Sequence, residues 1–409
     1  MSPARPSHQR ADTSDFRLLW WANAADGIGS QASGTVLPLL LLGLGHSPQT
    51  VGLIAGVSTA LGLLLGPLVA LPADRGARKR MMLGSAAVSA LAMGCVALAL
   101  ATGRPPLGLI LAAVLVERLA TAAFEAASRG TVALVCPGPE QPRALARLSA
   151  ADQGALIAGP ALGGVLYQAA RALPFLADAL SYVVTAVCVA AMRTDLTATE
   201  TRQPGESLLR QSLAGLRLVR RSPLLRLVLI WATTVNAVVV ALYYGAVFTL
   251  RGQGHPGAVL GAILALSGAA GLAGALAAPT VARRLGAPQV VTGVTWLLVP
   301  LAAAPAVFTG AWAYGLLFGL VCLLMPLASI VLQARALQAT APALQARTGA
   351  VLATATTGAA ALAPVLAGAL AARVSPAAPA VVCGVLLALL AAHSSRRAVR
   401  GVLSAEAAG

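Results

Sequence analysis

The sequence predicts an all-α membrane protein with twelve transmembrane helices in two pseudo-symmetric six-helix bundles and with both termini in the cytoplasm. Composition is the first reason: 58% of the 409 residues are hydrophobic and 10% are charged, against about 25% charged residues in an ordinary soluble domain. The second reason is the number of long apolar segments. The third is the side of the membrane on which the basic residues between them fall.

Twelve segments are long and apolar enough to cross a bilayer, which takes about 20 residues for about 30 Å of hydrocarbon. A polar connection separates the sixth from the seventh. In order, the predicted spans are Phe16–Leu42, Val51–Pro72, Met81–Ala101, Leu107–Ala127, Leu148–Tyr167, Leu173–Met192, Leu224–Leu250, Ala258–Ala282, Pro288–Phe308, Ala311–Gln333, Thr348–Ala372 and Ala377–Ala392.

The basic residues set the orientation, because positively charged loops stay in the cytoplasm. With the N-terminus inside, 24 of the 29 Lys and Arg residues fall on the inner side, and Arg118 lies within the fourth span. The four on the outer side are Arg104, Arg171, Arg251 and Arg373. An odd number of spans would break this alternation. The pattern therefore predicts a multi-pass protein of the inner (plasma) membrane with an even number of spans.

The longest inner connection divides the chain into its predicted parts. These are a cytoplasmic tail at 1–15, a six-helix bundle at 16–192, a cytoplasmic linker at 193–223, a second six-helix bundle at 224–392 and a cytoplasmic tail at 393–409. Within the linker, the stretch SLLRQSLAGLRLVRRSP has the apolar spacing of an amphipathic helix. It either lies on the inner leaflet, held by arginine attraction to anionic lipid, or is a solvated helix.

The two halves of the chain repeat short motifs. GPALGGVL at Gly159–Leu166 in the fifth span matches APVLAGAL at Ala363–Leu370 in the eleventh in its Pro, Leu, Gly and Leu positions. ADRGA at Ala73–Ala77 corresponds to ARRLGA at Ala282–Ala287. Two parallel six-helix halves around a central cavity are the architecture of transporters that work by alternating access.

Other classes of function lack their sequence signals. The net charge is +16, but the arginines lie at the ends of apolar runs without interleaved aromatics, so no nucleic-acid partner is predicted. The five cysteines are far apart, so neither a metal site nor a disulfide framework is expected. No Gly-x-x-x-x-Gly-Lys stretch is present to bind ATP phosphates, and the polar first fourteen residues do not resemble a removable signal peptide.

Ionisable residues within spans are costly and usually functional. Asp26, Glu117 and Arg118 lie near mid-membrane, whereas no Asp or Glu occurs between Glu206 and Glu406. Burial disfavours the charged form of a carboxyl group and a nearby arginine favours it, so an acid beside Arg118 can gain or lose a proton as its surroundings change. We therefore predict that the N-terminal half couples to protons, with Asp26 and Glu117 as the leading pair, and that the C-terminal half supplies mostly neutral substrate contacts.

Three further acids have structural alternatives. Glu125 has the i,i+4 spacing to form a structural pair with Arg129. Asp178 either caps or latches helices on the outer side or lines the cavity. Asp152, near the inner start of the fifth span, belongs to a gate or a helix cap.

Segments along nearly the whole chain resemble one family. DFRLLW opens the first span, VLPLLLL closes it, VGLIAG opens the second and PFLADALSYVVTA lies in the sixth. Together with the twelve spans, these segments resemble the major facilitator superfamily. The likeness is greatest to the branch that includes bacterial macrolide-efflux proteins and the enterobactin exporter. The resemblance implies the major facilitator fold and secondary active transport.

The resemblance also assigns an inner gate. In the superfamily's inner-loop motif, an acid and several bases latch the two halves on the cytoplasmic side. The leading Gly of that motif is Ala70 here. The residues that match it are Asp74, Arg75, Arg78, Lys79 and Arg80.

Two more motifs bear on direction and coupling. The span-five residues Gly159, Pro160, Gly163 and Gly164 resemble a motif associated with antiporters, although simple helix packing is the alternative. Arg118 falls where drug exporters of the superfamily carry a span-four arginine, which implies a role in proton relay. The Gln and Gly that follow it in those exporters are Thr121 and Ala122 here.

Polar residues within spans are candidates for orienting a large, mostly apolar ligand in the cavity, and each could instead satisfy a neighbouring helix. They are Asn23, Gln31, Asp178, Asn236, Tyr243, Tyr244 and Gln333. The sequence thus predicts a monomeric, proton-driven exporter of a hydrophobic or amphipathic small molecule such as an antibiotic, drug or siderophore, without a cofactor.

Two alternatives stay open beside this reading. A proton-coupled nutrient or metabolite symporter of the same fold would accumulate its substrate. A polytopic membrane enzyme would need acids or histidines clustered near an interface, and the sequence has no such cluster.

Overall fold

A computed structural model describes residues 13–74, 77–103, 105–136, 140–194, 196 and 216–396. Over these ranges the chain forms twelve long helices, and each contains or closely matches one predicted span. They are α1 (Thr13–Gly43), α2 (Pro48–Asp74), α3 (Arg78–Ala101), α4 (Leu107–Val135), α5 (Gln141–Ala169), α6 (Leu173–Ala191), α7 (Pro223–Gly252), α8 (Gly257–Leu285), α9 (Ala287–Ala303), α10 (Ala311–Gln338), α11 (Pro342–Arg373) and α12 (Ala378–Ser394).

Several helices extend past the predicted spans on the inner side. The helix α5 begins at Gln141 rather than Leu148, and α11 begins at Pro342 rather than Thr348. Hydropathy detects only the stretch inside the hydrocarbon, whereas helical hydrogen bonding continues through the interface in residues such as Arg, Gln and Ala that favour helix.

Nine of the described helices are long and apolar enough to cross a membrane, namely α2 to α4 and α6 to α11, and α12 is a shorter apolar helix. The remaining two, α1 and α5, have a lower mean hydropathy because polar residues interrupt them. Those interruptions include Asp26 in α1 and Asp152 in α5, which the sequence analysis had singled out.

One compact unit comprises Met1–Ser33, Leu64–Gly159 and Ala169–Arg202. Within it α3 packs against both α4 and α6. Its apolar core lies toward the inner side and includes Leu19, Met82, Phe124 and Val189.

The second compact unit comprises Gly34–Leu63, Pro160–Gln168 and Gln203–Gly409. It contains α7 to α12 together with the outer parts of α1, α2 and α5. Within it α9 packs against α10 and α12, as α3 does against α4 and α6, so the repeat seen in sequence is also a repeat of packing. The buried Trp231 of α7 donates its indole N–H to Thr295 Oγ1 at 2.9 Å.

The helices α1 and α7 end in the same way, which extends the repeat. Each is followed by a glycine in the left-handed conformation, Gly45 at φ 92° and Gly254 at φ 77°. The amide of the next residue then donates to the carbonyl five residues back, at 3.1 Å for His46 and 3.0 Å for His255. Glycine is required because a Cβ is disfavoured at this backbone position.

The predicted linker lies mostly outside the described residues. Only 193, 194, 196 and 216–223 of it are described, and 216–221 are helical. Most of the amphipathic stretch, and the tails at 1–12 and 397–409, are likewise outside. The linker therefore stays a prediction.

Candidate functional site

Glu117, in the middle of α4, is held by two hydroxyl groups. The Tyr182 hydroxyl donates to Glu117 Oε1 at 2.7 Å, and Thr121 Oγ1 donates to the same oxygen at 3.2 Å. Tyr182 comes from α6 and is 1% exposed, whereas Thr121 lies one turn along α4 from the acid. Two hydrogen bonds to one oxygen hold this half-buried carboxyl group in one orientation.

Asp178, on α6, is fully buried against α1. Ser33 Oγ donates to Asp178 Oδ2 at 2.5 Å, and Ser181 Oγ lies 3.5 Å from Oδ1. Gly29 of α1 permits this approach, because a Cβ at that position would lie 2.7 Å from Asp178 Oδ1 and overlap Ser181. Asp178 is therefore part of the contact between α1 and α6.

Asp26 lies on the same face of α1, between two contacts with α6. Thr185 Oγ1 donates to the Ala22 main-chain oxygen at 3.1 Å on one side of it, and Asp178 is bonded on the other. The side chain of Asp26 is 7% exposed, and no side chain in the described ranges donates a hydrogen bond to its carboxyl group. Asp26 therefore lies between two contacts of α1 with α6, and α6 is in turn bonded to Glu117 of α4 through Tyr182.

Asn23, one turn before Asp26 on α1, bonds α1 to α4. Its amide Nδ2 donates to the Leu19 main-chain oxygen at 2.7 Å, and its Oδ1 accepts from Ser128 Oγ at 3.0 Å. Both ends of the Asn23 amide are therefore engaged in helix contacts.

Arg118 lies on the exposed face of α4. Within the described part of the chain, no hydrogen bond joins its guanidinium to Asp26 or Glu117. Farther along α4, Arg129 pairs with Glu125 at 3.0 Å, which confirms the predicted i,i+4 pair. Both side chains are more than half exposed, so the pair contributes little to stability.

The predicted inner motif is only partly described. The helix α2 ends at Asp74, but the Asp74 side chain and Arg75 lie outside the described residues. Arg78 is 5% exposed and lies against α4, where its Nε is 3.0 Å from the position that a Cβ would take at Gly130. Arg80 is exposed.

Lys79 of the same motif binds the end of α6. Its Nζ donates to the main-chain oxygens of Ala190 at 3.1 Å and Met192 at 2.7 Å. These carbonyls have no partner within the helix, and the positive charge is favourable at the negative end of the helix dipole.

The span-five motif faces two neighbouring helices. Gly159 is in contact with α1, where a Cβ at that position would overlap Gln31 and lie 3.2 Å from the Ile28 oxygen. Gly163 is buried, and Pro160 lies within the unbroken helix Gln141–Ala169. Toward α1, the motif therefore makes a close helix contact through Gly159.

Gly164 faces α8. A Cβ at Gly164 would lie 2.9 Å from the Gly257 oxygen and 3.0 Å from Gly261 Cα, and a Cβ at Gly261 would lie 2.5 Å from the Pro160 oxygen. The two backbones are therefore in direct contact, which only residues without a side chain permit.

The repeated segment of α11 makes the same contact with α2. In the repeat, Pro364 and Gly368 correspond to Pro160 and Gly164 of α5. A Cβ at Gly52 would overlap the Pro364 oxygen and lie 3.4 Å from Gly368 Cα, and a Cβ at Gly368 would overlap the Pro48 oxygen. The motif therefore occurs twice, each time as a backbone contact in the predicted outer part of its helix.

The remaining candidate cavity residues are dispersed. Asn236 and Gln333 are exposed, and Gln31 is half-buried. The Tyr243 hydroxyl donates to the Thr35 main-chain oxygen at 3.3 Å, so it bonds a neighbouring helix. Its ring lies edge-on to that of Tyr244, with centroids 4.9 Å apart.

Sequence reasoning missed two buried residues, one at the site and one at the inner end of α1. One is Tyr182, whose partner is remote in sequence. The other is Asp15, which is 1% exposed and whose Oδ2 accepts bonds from the amide of Arg193 at 2.9 Å and from Thr194 N at 2.6 Å and Oγ1 at 2.5 Å. The only sequence signal for Asp15 was an acid directly before an apolar run.

Over the described ranges, no group of three or more His, Cys, Asp and Glu side chains is arranged to hold a metal ion.

Known proteins are similar to the chain along most of its length. The family model described as Major Facilitator Superfamily matches residues 19–360. No curated protein matches the chain.

Solved structures of transporters share the fold. The nucleoside transporter NupG has a TM-score of 0.72 at 12% identity, over 93% of this chain and 98% of that one. A bacterial homologue of the iron transporter ferroportin, inward-facing, has 0.67 at 16%, over 95% and 100%. A bacterial homologue of the human lysosomal transporter Spinster, inward-facing and occupied, has 0.72 at 13%, over 96% and 97%. At these identities the likeness is one of fold.

Proposed function

This chain belongs to the Major Facilitator Superfamily, and on that premise we propose that it is a proton-driven exporter of a hydrophobic or amphipathic small molecule such as an antibiotic, drug or siderophore. It works as a monomer in the inner (plasma) membrane, and the proton gradient is its only source of energy. Within the superfamily it belongs with the macrolide-efflux and enterobactin-exporter branch.

The observation that carries the proposal is the grouping of acids. Asp26, Glu117 and Asp178 lie on α1, α4 and α6, which are joined by the hydrogen bonds of Asp178 to α1, of Thr185 to α1 and of Tyr182 to Glu117. The sequence between Glu206 and Glu406 has no acid. Ionisable groups within a membrane are costly, and among the described residues no base forms an ion pair with any of these three acids, which supports a role in moving protons.

In the proposed cycle, Asp26 or Glu117 takes a proton from the outer side and releases it to the inner side in exchange for substrate. Protonation removes the charge and its desolvation cost, so loaded and empty states differ in free energy. The resemblance of Gly159, Pro160, Gly163 and Gly164 to a motif associated with antiporters supports antiport.

The test is transport in proteoliposomes with an imposed pH gradient and a panel of labelled apolar and amphipathic compounds. Asp26→Asn and Glu117→Gln each remove one proton-binding group with little change in shape. We expect each to lower gradient-driven transport at least tenfold while the purified protein keeps its elution volume and unfolding temperature.

Glu125→Gln is the matched control, because Glu125 is on the same helix as Glu117 but is exposed and paired with Arg129. It should transport as the wild type does. Full coupled transport in both Asp26→Asn and Glu117→Gln would remove the proton site from these acids. Substrate accumulation in the direction of proton flow would establish a symporter instead.

A further inference from the structure

Tyr182 is a buried residue of α6 whose hydroxyl is bonded to α4. Its hydroxyl is 2.7 Å from Glu117 Oε1 and 3.4 Å from Thr121 Oγ1, and the side chain is 1% exposed. The bond joins α6 to α4, and it is made to an acid of the proton site.

Tyr182 is also level with Asp26 of α1. The bond from Thr185 to the Ala22 oxygen fixes α6 against α1 at 3.1 Å. Asp26 is four residues after Ala22, which is about 6 Å along α1 from that bond. Tyr182 is three residues before Thr185, which is about 4.5 Å along α6. Because the two helices are antiparallel, both displacements are in the same direction.

The two oxygens of Glu117 differ in their surroundings. Oε1 accepts both the Tyr182 and the Thr121 hydroxyl. Oε2 accepts no hydrogen bond from the described residues, and it is not among the completely buried polar atoms that lack a partner. One oxygen is therefore fixed and the other is open to take a proton.

We propose that Tyr182 is a positioning residue of the proton site, in that its hydroxyl, with that of Thr121, fixes one oxygen of Glu117 between α4 and α6 and leaves the other oxygen to take the proton. This rests on the proposed function. The proton adds to Oε2 and leaves from it, and Tyr182 keeps its own proton throughout.

A consequence is that the tie between α4 and α6 depends on the charge of Glu117. A hydroxyl bond to a carboxylate is roughly twice as strong as one to a neutral carboxyl group. Protonation of Oε2 therefore weakens the Tyr182 bond, and the contact of α6 with α1 through Thr185 and Asp178 is next to it. Loading of the proton is in this way transmitted to the helices that carry the other two acids.

The test is the pH profile of transport in proteoliposomes for Tyr182→Phe, which removes only the hydroxyl. Loss of a donor to the charged form should move the midpoint of the profile by about one pH unit to the alkaline side. Thr121→Val removes the longer bond and should move the midpoint in the same direction by less. The titratable groups that face Tyr182 are Asp26, Glu117 and Asp178.

Tyr314→Phe is the matched control. Tyr314 is 3% exposed, its hydroxyl donates to the Leu242 main-chain oxygen at 2.8 Å, and it lies in the acid-free half. Removal of the Tyr314 hydroxyl should lower the stability of the protein about as much as removal of the Tyr182 hydroxyl. It should not move the midpoint of the pH profile of transport. If Tyr182→Phe does not fold, the midpoint of the pH profile of Thr121→Val tests the proposal in its place.

The outcomes separate the two proposals. A wild-type protein whose transport ignores the pH gradient overturns the proposed function. A coupled wild type with unchanged midpoints in Tyr182→Phe and Thr121→Val overturns the role of Tyr182 and leaves the proposed function standing. When Glu117→Gln is already present, adding Tyr182→Phe should not move the midpoint of the remaining pH profile. A shift equal to that of Tyr182→Phe alone would show that Tyr182 acts on another acid.

Discussion

Lys79 Nζ lies 2.7 Å from the main-chain oxygen of Met192, so the first turn of α3 is bonded to the end of α6. The sequence had placed Lys79 in an inner gate. Both residues belong to the same compact unit. Lys79 therefore has a structural role in addition to any role of the motif as a gate.

Lys79→Met should therefore destabilise the folded protein. It removes bonds to two carbonyls and the charge at the helix end, which together cost about 1 to 2 kcal/mol. Thermal unfolding in detergent measures this as a lower midpoint. Arg80→Met, next to it but exposed, should leave the midpoint unchanged. Equal midpoints for the two variants would show that the Lys79 bonds add nothing.

Asp15→Ala should be more damaging than Lys79→Met. Asp15 is buried, and its Oδ2 accepts hydrogen bonds from two main-chain amides and one hydroxyl group just after α6. Removal leaves the two amides unsatisfied, at about 1 to 3 kcal/mol each. Thr194→Val removes only the hydroxyl bond and is the graded control. Proteolysis between α6 and α7 should become faster in Asp15→Ala, and an unchanged rate would contradict this account.

The sequence predicted the helices well and their contacts poorly. Hydropathy identified all twelve, because crossing the bilayer requires length and apolar side chains whatever the neighbours. It also selected Asp26 and Glu117, because a charge at mid-membrane depth is visible without a structure. Tyr182 was missed because an aromatic residue in an apolar helix carries no signal of its own. Its meaning depends on which helix lies opposite.

The sequence selected the glycine motifs by resemblance and repetition, whereas the structure shows that they are close backbone contacts. Pro160 and Gly164 were selected by resemblance, and the match to Pro364 and Gly368 by repetition. That both pairs press backbone against backbone follows from which helices are neighbours, and a single sequence does not specify that.

Cys136, just after α4 and outside the membrane span, should react slowly with thiol reagents. Burial, with Glu140 adding and Arg147 opposing, raises the pKa of its thiol. Only the thiolate reacts, so below that pKa the labelling rate should rise about tenfold per pH unit. A variant that keeps Cys136 as its single cysteine shows this by maleimide labelling. Labelling at pH 7 as fast as in the unfolded chain would be inconsistent with a buried thiol.

Gly368→Ala and Gly164→Ala should each force a helix pair apart. The new Cβ would meet the backbone of α2 or α8, and overpacking of this kind costs about 1 to 3 kcal/mol. Gly358→Ala on α11 is the control, because a Cβ there has open space and alanine favours helix. Reagent access to single cysteines introduced next to each contact should increase in the first two variants only. Equal effects of the two would support the equivalence of the repeated motifs.

Gly29→Ala tests the contact on which the acid group depends. A Cβ there would overlap Ser181 and lie 2.7 Å from Asp178 Oδ1, so α1 must shift away from α6. The shift breaks the bond from Ser33 to Asp178 and moves Asp26, which is on the same face of α1. Gly34→Ala, five residues along the same helix, meets nothing within 4 Å and should be neutral or slightly stabilising.

The expected result for Gly29→Ala is loss of coupling without loss of the fold: substrate still binds, but an imposed pH gradient drives at least tenfold less transport. Because the proposed proton site uses Asp26 of α1 and Glu117 of α4, it depends on how closely α1 approaches its neighbours, and a single methyl group at Gly29 changes that approach without altering any titratable group. Coupled transport at the wild-type rate in Gly29→Ala would mean that Asp26 and Glu117 act independently of the α1 contact with α6.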